Sequence, residues 1–230
     1  NSVLSFSDIN ILQGGTGDDT FNVDADAVMN IDGGDGDNDY NISSTLTGDI
    51  TGGSGQDWIY FIGNGNVIGN VDPGTGTDVL DYRQSNAMDI TINRIDGTAT
   101  NISGNFFNIR HYFFKEGQKL TATGGSSATD IYYFYGTPAA GSTITAGGAS
   151  QTAWIRLYGS GTNNWEFTGN GSGTMDDGAG NVLLTFDRVV NLYTDRAGDF
   201  DINADTATEI SAPDGNHNFR IRSVLTGDIT

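Results

Sequence analysis

The segment "GGTGDDTFNV" at residues 14–23 recurs in altered form at nearly fixed steps along the first third of the chain. With Gly14, Gly33, Gly52 and Pro73 aligned, the steps are 19, 19 and 21, and the later copies read "GGDGDNDYNI", "GGSGQDWIYF" and "PGTGTDVLDY". A unit this short cannot bury its own apolar face, so neighbouring units have to stack. Phe21, Tyr40, Ile59 and Leu80 share one column, and Val23, Ile42, Phe61 and Tyr82 share the column two residues on. That period of two marks a short strand with one buried face after each glycine loop. Ile31, Ile50 and Val71 stand two residues before the next loop and mark a second strand, so each copy is expected to carry two strands and two turns.

A repeat length of about 19 to 21 with two short strands predicts an all-β fold, a right-handed parallel β-solenoid of the β-helix or β-roll kind, with side loops. Its columns would stack about 4.8 Å apart, and its hand follows the general rule for parallel crossovers. Residues 1–82 form the clearest coils, and 83–123 read as a linking segment within the solenoid. Residues 124–190 hold degenerate coils with longer loops, seen in "GGSSATDIYYF" (124–134), "ITAGGASQTAWIRL" (144–157) and "MDDGAGNVLLTF" (175–186). Residues 191–230 match 12–51 and read as the start of a next repeat. Within them 202–230 aligns without a gap on 23–51, ending in the same "LTGDIT", so the chain reads as an excerpt of a longer repeat array. Phe6, Ile9 and Leu12, then Phe106, Ile109 and Tyr112, then Phe186, Val189 and Leu192 recur at spacing three and three; with no helical run around them they read as coil corners.

Charge restricts the partners. From Asn1 to Tyr82 there are 14 Asp and no Lys, Arg, Glu or His, and the whole chain carries −19. Such a balance disfavours nucleic acid and favours cations. Like charges about 4 Å apart repel by roughly 1 kcal/mol in water and more at a protein surface, so stacked Asp loops call for counterions. The absence of cysteine excludes disulfides and thiolate metal sites. No apolar run reaches the roughly 20 residues of a membrane span.

Glycine lets a loop turn through positive φ and turn its carbonyls to one side, while an Asp supplies a charged oxygen; Ca²⁺ takes six to eight such hard ligands. Gly and Asp are also common in plain tight turns, and the residues alone leave that alternative open. The pattern G-G-x-G-x-D-x-U-x, with U apolar, is met at 14–22 and 52–60. Asn38 replaces the Asp at 33–41, and Pro73 replaces the first Gly of the fourth copy. These stretches resemble the calcium repeats of RTX proteins. The resemblance implies a one-sided calcium ladder with Asp19, Asn38, Asp57 and Asp78 as side-chain ligands. It also implies loop ligands from Gly15, Gly17, Gly34, Gly36, Gly53 and Gly55, with the neighbouring Asp18 and Asp37 in the same loops. In the "APDGNHN" copy at 212–218, Asp214 reads as a solvated residue. Residues 77–117 resemble the linking segments between calcium-repeat blocks of large secreted bacterial proteins of the haemolysin and giant-adhesin kind.

No catalytic signature stands out. His111 and His217 are the only histidines, and no G-x-S-x-G, H-E-x-x-H or P-loop pattern occurs. Asp176 and Asp177 are a candidate acidic pair, with a bland turn the stronger reading. Strand alternation points Trp58, Tyr60, Tyr133 and Tyr135 outward, a row that could meet sugars or a neighbouring filament. The sequence therefore predicts a non-enzymatic structural or adhesive module of a large extracellular bacterial surface protein, stiffened by calcium. Its expected partners are calcium ions, neighbouring repeats or copies of itself, and glycans. A carbohydrate-active or carbohydrate-binding β-helix domain, such as a lyase or epimerase module, is the alternative.

Overall fold

The computed structural model describes residues 8–125, 129–147, 152–213 and 216–230. Every element among them is a β-strand, and most pair in parallel. Four strands, Ile11–Gly15, Asn30–Gly34, Ile50–Thr51 and Val71–Asp72, form a first parallel sheet. A second sheet of nine strands begins at Thr20–Val23 and ends at Glu209–Ser211. Its register passes through Thr20, Asp39, Trp58, Val79, His111, Ile131, Trp154, Asn191 and Glu209. The first returns of the chain to this sheet are evenly spaced, and two later ones, from Val79 to His111 and from Trp154 to Asn191, are long.

All-β content and long parallel sheets are as expected and compatible with a solenoid. Two details differ from the sequence expectation. The first three circuits carry three strands each, because Ala27–Val28, Thr45–Thr47 and Asn66–Ile68 pair into a further small sheet. The three strands read Ala27-Val28, Thr45-Leu46-Thr47 and Asn66-Val67-Ile68, too short and too variable to show alternation, so the sequence carries no sign of that sheet. The stretch 175–186 is likewise no glycine loop between circuits. Ser172–Asp176 pairs antiparallel with both Asn164–Gly169 and Val182–Asp187, so the long step from Trp154 to Asn191 holds an inserted strand set. The step from Val79 to His111 holds a smaller insertion, Asp89–Asn93 against Thr98–Ala99.

The two predicted columns line the interior on the second sheet and continue beyond the first four copies, and Ile31, Leu46 and Phe200 of the other sheets pack into the same core. Tyr40, Ile59, Leu80, Tyr112, Tyr132, Ile155, Leu192 and Ile210 follow one another in register and are essentially fully buried. Their rings stack: Phe21 on Tyr40 at 5.3 Å, Tyr112 on Tyr132 at 5.4 Å and, in the second column, Phe61 on Tyr82 at 5.1 Å. In-register aromatic stacking adds to area burial, so the columns fix register as well as stability. Phe106, Ile109 and Tyr112 turn between sheets without a helix, with Phe106 edge-on to Tyr112. Phe6 and Asp214 lie outside the described residues. No helix among those described is long and apolar enough to cross a membrane.

Candidate functional site

The glycine loops connect the first sheet to the second and lie directly over one another. Their closeness explains the glycines: Gly55, at φ 128°, passes so near the loop below that a Cβ would strike the Gly36 carbonyl oxygen. Two ladders of side-chain hydrogen bonds join the stack, and they run in opposite directions.

On the exposed side, a side chain accepts the backbone N–H of the residue one circuit later. Asp18 Oδ1 accepts from Asp37 N–H at 2.9 Å, and Asp37 Oδ1 from Gln56 N–H at 2.6 Å. In the same loops Asp35 accepts from Ser54, and at the other turns of the circuits the bond recurs, from Thr45 to Asp26 and three times along the column Asn30, Asp49, Asn70, Asn105.

At the sixth loop position the sense reverses, because the side chain points inward. Asn38 Oδ1 accepts from Asp19 N–H at 3.0 Å, Asp57 Oδ1 from Asn38 N–H at 2.9 Å, and Asp78 Oδ1 from Asp57 N–H at 3.0 Å. Asp19 is half-buried at the first loop, and its Oδ2 accepts from Gly15 N–H at 3.1 Å. Asn38, Asp57 and Asp78 are all buried.

The second oxygen of each inner residue decides the chemistry. Asn38 has an amide there, and its Nδ2 donates to Gly34 O at 3.3 Å and Gly36 O at 3.1 Å. That loop satisfies itself. Asp57 Oδ2 and Asp78 Oδ2 are buried without any hydrogen-bond partner. Burial pushes the Asp57 carboxyl up to about 6, against the hydrogen bond from Asn38 N–H and with Asp78 and Asp37 adding to it, and burial likewise raises Asp78. A Cβ at Gly52 would run into both Asp57 Oδ2 and the Pro73 carbonyl oxygen, and one at Gly14 into Asp19 Oδ2 and the Gly33 carbonyl oxygen. Carboxylate and carbonyl oxygens of successive circuits therefore converge beside the first loop residue. An oxygen-only donor set of this kind suits a hard cation. Among the described residues no three His, Cys, Asp or Glu side chains converge, so carbonyls or water would supply most of the shell.

The remaining sequence candidates are structural in their contacts. Asp177 caps its own turn, accepting from Ala179 N–H and from Asn181, while Asp176 Oδ1 accepts from Gly178 N–H and Asn164 Nδ2. His111 stacks on Tyr133 at 5.7 Å, and its Nδ1 lies 3.3 Å from the Tyr133 hydroxyl. Asp130, one residue late in its loop, is buried and ion-paired with Arg94 at 2.6 Å.

The outward aromatic row exists, but its rings cover one another. Trp58 meets Tyr60 at 5.5 Å and Phe113 at 5.0 Å, Phe113 meets Tyr133 at 4.3 Å, Tyr135 meets Tyr158 at 5.1 Å, and Tyr158 meets Tyr193 at 5.3 Å. Arg83 lies over Phe113 and Tyr135, and Arg156 over Trp154 and Tyr193. Ring faces in this row are therefore taken up by neighbouring rings and by the two arginines. No family model matches the chain, and neither a curated protein nor a solved structure does.

Proposed function

We propose that this chain is a segment of a right-handed parallel β-solenoid whose glycine loops bind Ca²⁺, and that it serves as a stiff structural or adhesive module of an extracellular bacterial surface protein. The observation that carries the reading is the pair of buried carboxylate oxygens, Asp57 Oδ2 and Asp78 Oδ2, left without a partner. They sit in a stretch holding 14 Asp and no basic side chain before Arg83. An unpaired buried carboxylate is costly, and a cation bound by it and by loop carbonyls removes the cost.

Asp57 and Asp78 would be the principal side-chain ligands, with Asp19 at the end of the stack and carbonyls of Gly53 and Gly55 near them. Asn38 would be a spacer, since its amide already occupies the Gly34 and Gly36 carbonyls. The bound ion would supply charge neutralisation. The chain would supply repeated, in-register oxygen pairs, and the folded state would gain stability by mass action. Such a rod keeps its length and direction under load, which suits a stalk or surface fibre.

The test is thermal and far-UV circular dichroism of the protein titrated with Ca²⁺, then Mg²⁺, then EDTA, beside Asp57→Asn plus Asp78→Asn. A rise in melting temperature with Ca²⁺ that the double variant lacks supports the site. A wild type indifferent to Ca²⁺ refutes it.

A further inference from the structure

The second glycine loop departs from its neighbours at two positions at once. Its sixth residue is Asn38, where the other copies carry Asp19, Asp57 and Asp78, and its eighth is Tyr40, where they carry Phe21, Ile59 and Leu80. Both changes bring hydrogen-bond donors inward. Asn38 Nδ2 donates to Gly34 O at 3.3 Å and Gly36 O at 3.1 Å, and the Tyr40 hydroxyl donates to Thr51 O at 3.0 Å. Both side chains are fully buried.

The space beside the first loop residue is filled differently from circuit to circuit. A Cβ at Gly14 would run into Asp19 Oδ2 and the Gly33 carbonyl oxygen, and one at Gly52 into Asp57 Oδ2 and the Pro73 carbonyl oxygen. At Gly33 a Cβ would run into the Tyr40 hydroxyl, with Asn38 Nδ2 standing 2.9 Å away. The flanking loops thus gather a carboxylate and a carbonyl oxygen where this one holds an O–H and an N–H. Burial, with Asp57 and Asp32 adding to it, pushes the Tyr40 hydroxyl far above its ordinary range, so it keeps its proton.

A hard cation needs oxygen lone pairs turned toward it, and an amide N–H₂ offers none. In the second loop the two donors satisfy carbonyl oxygens as a bound ion would, and they do not dissociate.

We propose that Tyr40 and Asn38 form a permanent plug in the cation position of the second loop, dividing the glycine stack into separate cation sites, one at Asp19 and one at Asp57 and Asp78. This inference rests on the calcium reading above and sets which loops take an ion. The first and third loops are two circuits apart, so ions in them lie about 9.6 Å apart instead of about 4.8 Å. Doubling the separation halves their Coulomb repulsion. The plugged loop also bonds both neighbours without an ion, since Asn38 Oδ1 accepts from Asp19 N–H and Asn38 N–H donates to Asp57 Oδ1. It therefore holds three circuits together when calcium is withdrawn.

Counting bound Ca²⁺ per chain by equilibrium dialysis, with circular dichroism to follow folding, tests the plug. Asn38→Asp plus Tyr40→Phe gives the second loop the residue pair that the first already has, and should bind one ion more than wild type. Asn38→Asp by itself leaves the hydroxyl in place and should bind no more than wild type. In EDTA the double variant has lost both donors and gained a buried carboxylate, so it should melt at least about 5 °C below wild type, and calcium should restore it. The reverse exchange, Asp19→Asn plus Phe21→Tyr, carries the plug into the first loop and should bind one ion fewer, which decides the matter if the first double variant does not fold. With calcium bound by wild type, an unchanged count in either double variant, or a gain in Asn38→Asp by itself, overturns the plug and leaves the calcium reading standing. A wild type that binds no calcium overturns both.

Discussion

Replacing Asp57 by Asn should stabilise the calcium-free protein and remove part of its response to calcium. In the ion-free fold the Asp57 carboxyl is raised from 3.8 to about 6 by burial. The ionised group therefore costs the folded state about 3 kcal/mol at neutral pH. Asn carries no charge, and Asn38 shows what its amide does in the same position: it donates to two loop carbonyls. The equivalent acceptors are Gly53 O and Gly55 O, each new bond contributing about 1 kcal/mol. In EDTA, Asp57→Asn should melt higher by at least about 5 °C, since 1 kcal/mol moves a chain of this size by roughly 2–4 °C. Calcium at a hundred times its dissociation constant stabilises a single site by about 2.7 kcal/mol. The gap between wild type and variant should then narrow at saturating calcium and reopen in EDTA. Differential scanning calorimetry of both proteins under both conditions is the assay. A variant that melts at or below the wild type in EDTA refutes the argument that this carboxylate is a burden awaiting an ion.

Four further outcomes follow from the same geometry. For Asp57 the folded pKa is above the unfolded one, so the proton binds the folded state more tightly. Ion-free wild type should gain stability relative to Asp57→Asn as pH falls from about 7 to 4, and urea titrations at stepped pH would read it. Gly55→Ala, at φ 128° and against the Gly36 carbonyl, should cost at least about 2 kcal/mol by chemical denaturation. Gly15→Ala, with nothing within 4 Å, should stay within about 0.5 kcal/mol in the same assay. Arg94→Met removes the 2.6 Å ion pair of the buried Asp130 and should cost roughly 2 kcal/mol at pH 8. The loss should shrink near pH 5, because burial already pushes Asp130 up to about 6, and urea midpoints at the two pH values measure it.

The parallel sheets and the core columns were readable because two constraints coincide in the first circuits. The near-constant steps from Gly14 to Gly33 to Gly52 place like beside like, and the period of two shows which residues face inward. Ile59 and Phe61 are buried while Trp58 and Tyr60 are only half-buried, as that period requires. The short Thr45–Thr47 strand lacks any period, so only its neighbours define it. Asp177 lies beside glycines as Asp19 does, yet its loop closes a hairpin, which depends on antiparallel partners distant from the motif. The long repeat misleads in another way. Phe21 lies in the second sheet, but its counterpart Phe200 pairs with Trp165 and Phe219 in a different sheet. The sequence match holds locally, since Asp205 accepts from Val224 N–H as Asp26 does from Thr45. Which sheet receives the copy is set by what precedes it, including the strands inserted between Trp154 and Asn191. Asp57 was legible as a candidate by residue type, whereas its inward direction and unpartnered oxygen were not.

The opposed ladders also limit how such a chain can change over generations. Each loop borrows acceptors from the circuit before it and from the circuit after it, so no loop is complete alone. Removing or duplicating a whole circuit moves every donor to an equivalent acceptor and leaves both ladders intact. Removing part of a circuit breaks both ladders and takes the buried columns out of register at once. Length variation in the glycine-loop region is therefore confined to whole multiples of its period. Irregular lengths are admitted only where the chain leaves the sheets, as between Val79 and His111 and between Trp154 and Asn191.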